Sequence, residues 1–312
     1  IFPGQGSQEI GMGKALADAF PAARAVFAEV DDALGQNLSK LMWDGDIAEL
    51  TLTANTQPAL MAHSVAAMRA LEAASGLSAA NARFVAGHSL GEYSALASAG
   101  AISLADTARL LRIRGNAMQG AVPAGEGAMA ALLGADVAQA EAACAAGRAT
   151  GGVCEIANDN APGQLVLSGS KAAIDAACEH AKANGVKKAM ALNVSAPFHC
   201  SLMQPAADAM AEALSGVTIS APVVPVVANI SAAPTSDPDT IRQNLVDQVT
   251  GRVRWTESVQ FMVGQGVTST AEAGAGKVLT VMQRRIEKSL NGFTLGTPED
   301  IEAFAAVILQ ET

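Results

Sequence analysis

Arg83-Phe84-Val85-Ala86-Gly87-His88-Ser89-Leu90-Gly91 is a short apolar run that closes in a G-x-S-x-G unit, and a helix-like stretch follows over residues 92–99. Glycines at both ends of the unit allow a sharp strand-to-helix turn that a Cβ would obstruct. Such a turn lifts the serine hydroxyl clear of the sheet, at a helix N-terminus whose amide dipoles favour developing negative charge. Ser89 is therefore a candidate nucleophile.

Around this turn, helical and strand-like stretches alternate through most of the 312 residues, which predicts α/β architecture. Thr53-Ala54-Asn55-Thr56-Gln57-Pro58 reads as a helix start with Pro in the first turn, and the helix runs to Gly76. Ser103 with Asp106 resembles a capping pair opening a helix that continues to residue 121. The middle of the chain changes style. Strands are predicted over 129–133, 153–157, 164–168 and 188–194, with helices over 137–146 and 171–183 and a turn over 158–163. That order, βαββαβ, is the ferredoxin-like pattern. It predicts a small ferredoxin-like domain over 125–195, inserted in a larger α/β-hydrolase-like domain (1–124 and 196–312) with a parallel-sheet core and a cleft between the two. The larger part resumes with a helix over 201–214 and a strand over 223–227.

Bulk properties narrow the function. Half of the residues are hydrophobic, 16% are charged and the formal net charge is −10. A globular protein fits these numbers and a nucleic-acid partner does not. No stretch approaches the ~20 apolar residues of a membrane span, and Ile1-Phe2-Pro3-Gly4 does not read as a secretory signal. Cys144, Cys154, Cys178 and Cys200 lie at wide spacings without a zinc pattern, which predicts reduced thiols and a cytoplasmic setting. No metal or cofactor motif occurs: the Gly4-Gln5-Gly6-Ser7-Gln8 loop lacks the lysine of a phosphate loop.

A serine hydroxyl needs a base. Of the four histidines, His88 reads as structural support, and His63 and His180 as helix surface or packing. His199, in Ser195-Ala196-Pro197-Phe198-His199 at the predicted domain junction, is the remaining candidate, and Cys200 beside it reads as a bystander. Arg114 borders the apolar stripe Leu104, Ala108, Leu111, Gly115, Met118 of its helix. By spacing alone it fits an internally paired or snorkelling side chain as well as a clamp for a substrate carboxylate. G-x-S-x-G is also the signature of serine hydrolases, but no histidine follows His199 to complete their Ser…Asp/Glu…His order.

Phe2-Pro3-Gly4-Gln5-Gly6-Ser7-Gln8, Gly87-His88-Ser89-Leu90-Gly91-Glu92, Arg112-Ile113-Arg114-Gly115, Ser195-Ala196-Pro197-Phe198-His199 and Gln248 ahead of Val253-Arg254-Trp255 resemble, in order, the malonyl-CoA:acyl-carrier-protein transacylases. The resemblance implies Ser89 as nucleophile, His199 as base, the backbone N–H groups of Gln5 and Leu90 as oxyanion hole, Arg114 as carboxylate clamp, the Gln248 carbonyl as the group that orients the histidine, and Gln57, ahead of Pro58, as a further residue lining the site. It implies malonyl-CoA and acyl carrier protein as partners, no cofactor, a cytoplasmic monomer, and supply of malonyl groups for fatty acid synthesis. A carrier protein is acidic, so docking would fall to basic patches such as Lys187-Lys188 or Arg284-Arg285 with Lys288.

Overall fold

The computed structural model describes residues 1–194 and 196–311. Ser195 of the histidine motif lies outside the described residues. The apolar run ahead of the serine turn forms the short strand Val85–Ala86, paired parallel with Val226–Val227. On its other side Phe2 bridges parallel to Gly87: Phe2 N–H donates to Ala86 O at 3.0 Å, and His88 N–H donates to Phe2 O at 3.0 Å. Ile1 joins this layer to Ser269–Ala273. Its backbone nitrogen donates to Ala271 O at 2.8 Å, and its carbonyl accepts from Ala273 N–H at 2.9 Å. Ser269–Ala273 pairs parallel with Asn291–Leu295, so five short parallel segments run side by side, with Pro234–Thr235 antiparallel beyond Val226–Val227.

The strands predicted from residues 83 and 223 both begin later, and one residue accounts for both. Val85 N–H donates to Pro225 O at 3.1 Å. The next bond toward the N-terminus would need an N–H on Pro225, which proline lacks, so the ladder stops there.

Helices cover this layer. Thr53–Ser75 is buried on most of its surface and ends at Gly76 in the left-handed conformation. It begins five residues before Pro58, so Pro58 lies inside the helix and not in its first turn. The missing proline N–H leaves the Ala54 carbonyl without its helical donor, and at that same place the crossing helix Leu104–Gly120 presents Gly115. A Cβ on Gly115 would stand 2.6 Å from Ala54 Cα, so the two backbones touch. The second helix opens as the sequence predicts, with Ser103 accepting from Asp106 N–H.

Gly127–Leu133, Cys154–Ala161, Gln164–Ser170 and Lys188–Ala191 form a second, mainly antiparallel sheet. The strand order is Lys188–Ala191, Gly127–Leu133, Gln164–Ser170, Cys154–Ala161, and Val253–Arg254 adds parallel at the edge. Helices Val137–Arg148 and Lys171–Ala183 pack on it around Leu132, Cys144, Ile156, Leu167 and Ala177, a core separate from that of the parallel layer. Residues 158–161 belong to a strand, contrary to the predicted turn, which reduces to Pro162-Gly163. Pairing with strands on both sides outweighs the turn preference of Asn and Asp, and two register shifts in this strand absorb the misfit. Among the described residues no helix is long and apolar enough to cross a membrane.

Candidate active site

Both glycines of the turn are dictated by contact. A Cβ on Gly87 would lie 1.9 Å from the Gly91 backbone, and one on Gly91 would lie 2.3 Å from Phe2 O. Ser89 between them has φ +53°, the left-handed region that costs a non-glycine residue roughly 1–2 kcal/mol. Three bonds hold it there. Its N–H donates to Asn229 Oδ1 at 2.7 Å, and its carbonyl accepts from Glu92 N–H at 3.0 Å and Gln248 Nε2 at 3.1 Å. Over-determination of this kind is how strained turns persist at functional sites. Leu90 then leads into the helix Gly91–Ser98.

Ser89 Oγ lies 2.8 Å from His199 Nε2, and His199 Nδ1 lies 2.9 Å from the Gln248 carbonyl. A carbonyl only accepts, so Nδ1 carries the proton and Nε2 presents its lone pair to the serine. His199 itself has φ +58°. Burial, followed by the nearby Arg114 charge, pushes its pKa down to about 3, so the ring is neutral and its Nε2 lone pair faces the serine hydroxyl.

Arg114 is 1% exposed, far more enclosed than helical spacing indicates. Its Nη1 donates to Gln57 Oε1 at 2.9 Å, its Nη2 to Gln248 Oε1 at 2.8 Å and to Ser89 Oγ at 3.2 Å. The guanidinium also sits over the Tyr93 ring, 5.7 Å from its centroid. Every partner of this buried cation is neutral, and its Nε has no acceptor among the described residues. A buried cation bonded directly only to neutral groups, one bond from a nucleophile, can receive an anion.

Among the remaining sequence candidates, Gln5 follows Gly4, whose Cβ would stand 2.8 Å from His88 O, so this loop lies against the serine turn. The Gln5 side chain itself turns to Thr53 Oγ1 at 3.5 Å. His88 is braced away from the serine by Asn160 Oδ1 at 2.8 Å and the edge of Trp255. His63 is buried with Nε2 3.2 Å from Gly296 O, and His180 lies in the helix Lys171–Ala183. Cys200 is buried and donates to Pro197 O at 3.1 Å.

Two supporting residues, Asn229 and Glu92, escape the sequence reading or enter it only as a neighbour. Asn229 accepts from Ser89 N–H and donates from Nδ2 to Gly87 O at 2.7 Å. Glu92 accepts at Oε2 from Asn229 N–H and from Gln248 Nε2, each at 2.9 Å. Gln57 holds Arg114. The one available signal was the position of Asn229 just past the strand Val226–Val227, at the carboxyl end of a parallel strand where sites gather.

Burial also ties this region to acid stability. His63 is pushed down to about 4, His199 to about 3, and His88 below its usual range. A lowered folded pKa means the folded chain binds fewer protons than the unfolded chain, so this stability is complete above about pH 6.5 and drains as pH falls toward 4. Glu92, raised to about 7 by burial, works oppositely and gains as pH falls, cancelling about one of the two strongly shifted histidines, His63 and His199. The expected outcome is a loss of roughly 3 kcal/mol between pH 6.5 and 4 at about 1.4 kcal/mol per unit, read from urea melts. A flat profile would contradict the neutral burial of these rings.

Known proteins carry the same framework. A family model described as "Acyl transferase domain" matches residues 1–292. The malonyl CoA-acyl carrier protein transacylase of Bacillus subtilis is 43% identical over 311 residues, which is 100% of this chain and 97% of that protein. The crystal structure of an acyl-carrier-protein S-malonyltransferase from Bartonella henselae is 56% identical with a TM-score of 0.95, covering 98% of this chain and 97% of that one. A malonyl-transacylase solved in complex with a type II polyketide synthase acyl-carrier protein is 42% identical with a TM-score of 0.94, covering 98% of each chain. The chain therefore belongs to the acyl transferase family and, within it, to the malonyl-CoA–acyl carrier protein transacylases.

Proposed function

We propose that this acyltransferase moves malonyl from malonyl-CoA to the phosphopantetheine thiol of acyl carrier protein through a malonyl-serine intermediate. The observation that carries the reading is the buried Arg114 guanidinium, bonded directly only to neutral groups and donating to Ser89 Oγ at 3.2 Å. Ser89 Oγ attacks the thioester carbonyl while His199 Nε2 takes its proton. The oxyanion is held by the backbone N–H groups of Leu90 and Gln5; one such donor is worth ~3–4 kcal/mol. Coenzyme A leaves with the proton from His199. In the second half-reaction His199 takes the carrier-protein thiol's proton, the sulfur attacks the acyl carbonyl, and the serine is restored. Arg114 turns to the malonyl carboxylate as a bidentate pair. A backbone carbonyl, at Gln248, is a sufficient partner for the base because both exchanging groups are thiols, with pKa near ~8.5.

On this reading no cofactor is needed, and the chain divides into a hydrolase-like part (1–124 and 196–312) and a ferredoxin-like part (125–195). The setting is a reducing cytoplasm, consistent with four free thiols, and the product serves fatty acid synthesis. Intact-protein mass spectrometry with malonyl-CoA and with acetyl-CoA tests the reading. A malonyl adduct that holo carrier protein removes is expected. No adduct, with rapid cleavage of simple esters, would overturn it in favour of a hydrolase.

For docking, two basic patches flank one hairpin end. Lys187 packs on Gly134, Gly134 N–H donates to Gly163 O at 2.7 Å, and Arg285 Nη1 donates to Gln164 Oε1 at 2.8 Å. Reversing Lys187, Lys188, Arg284 and Arg285 together is expected to raise KM for the carrier protein by about tenfold or more at low salt, since exposed pairs each give ~0.2–1 kcal/mol. Malonyl loading from malonyl-CoA should change much less. An unchanged KM for the carrier protein would remove these patches from the docking surface.

A further inference from the structure

Glu92 and Arg114 are the two ends of one buried bridge. Arg114 Nη2 donates to Gln248 Oε1 at 2.8 Å, and Gln248 Nε2 donates to Glu92 Oε2 at 2.9 Å. Glu92 and Arg114 are each 1% exposed as whole residues. The other titratable groups around Glu92 are Tyr93 on its own helix and, across the dyad, His199 and His88, both neutral by burial. The packed helix Thr53–Ser75 directs its His63 to the Gly296 carbonyl, and the strands Val85–Ala86 and Val226–Val227 bring only apolar side chains. The site thus holds one buried cation and one buried anion, coupled through a single amide.

We propose that Glu92 is the standing counter-charge of Arg114, and that seating a dicarboxyl acyl group on the arginine draws one proton onto this carboxyl. The inference rests on the malonyl reading above. With the substrate carboxylate in place, a low-dielectric site would hold two negative charges against one positive, and protonating Glu92 restores neutrality. The geometry permits this at little cost, because Asn229 N–H and Gln248 Nε2 both converge on Oε2 and Oε1 is left to carry the proton. Burial already holds this carboxyl up at about 7, so the proton is available near neutrality. An acetyl group brings no charge and draws no proton.

The test is the ratio of malonyl to acetyl loading rate constants on Ser89 from pH 6 to pH 8. The ratio cancels the serine–histidine chemistry common to both acyl groups. In the wild type it should fall about tenfold as pH rises, and in Glu92→Gln, which mimics the protonated carboxyl, it should stay within twofold of the wild-type pH 6 value. Independently of the variant, a pH indicator in weak buffer at pH 7.5 should report more proton uptake by the wild type during malonyl loading than during acetyl loading. A pH-independent wild-type ratio, or equal proton uptake, overturns the proposal while leaving malonyl transfer intact. Absence of any malonyl adduct on Ser89 overturns the underlying reading itself.

Discussion

Ser89→Ala is expected to abolish the acyl adduct and lower transfer by roughly 10⁴–10⁶-fold, the range seen when a nucleophile acting in concert with its base is removed. Among the described residues no thiol beside the base can take over. The closest thiol in sequence to the base, Cys200, is buried, bonded to Pro197 O and pushed up to about 11, so it holds almost no thiolate at neutral pH. The variant should fold normally, because alanine meets the left-handed backbone at position 89 with the same Cβ penalty as serine and keeps the N–H bond to Asn229. Ser89→Gly is the informative companion. It should be equally inactive yet more stable, by up to roughly 1–2 kcal/mol as the backbone strain is released. Mass spectrometry reads the adduct and thermal melts read the strain. A persistent adduct in Ser89→Ala would move the nucleophile elsewhere.

That strain also marks the boundary of what the chain discloses. The serine turn was legible because its signal is local: two glycines four residues apart, an apolar run before them and a helix pattern after. Ser103 and Gly76 were legible for the same reason, as a cap and a stop. Residues 158–161 carry a turn signal because Asn and Asp suit a turn, and only the strands pairing on either side make them a strand. Arg114 was undecidable by periodicity; its enclosure comes from Gln57, Tyr93 and Gln248, the last of which lies 134 residues away. The network beneath the dyad was hidden for the same cause. Glu92, Asn229 and Gln248 are joined by bonds spanning 137 and 156 residues, and no pattern in the chain announces such contacts. Gln248 came into view only through resemblance, and Asn229 not at all.

Arg114→Ala should lower malonyl loading by about 10²–10³-fold, since truncating one partner of a buried charge pair costs roughly 3–4 kcal/mol. Acetyl loading is the control that separates recognition from architecture. The arginine also touches Ser89 Oγ and holds Gln57 and Gln248, so its removal leaves two amide oxygens unpaired, at about 1–3 kcal/mol of stability each. If that damage reached the dyad, both acyl groups would load poorly. The dyad has its own supports, however: the Gln248 main chain holds His199, and Asn229 holds Ser89. The Arg114 charge also depresses the His199 pKa, so losing it lets the base drift back toward its ordinary value and become stronger. Acetyl loading is therefore expected to stay within a few-fold of wild type or to rise. The malonyl preference should collapse while the serine remains reactive. Arg114→Lys keeps the charge without the planar fork and should fall between the two. An equal loss for both acyl groups would make Arg114 a structural brace and leave the carboxylate without a receptor.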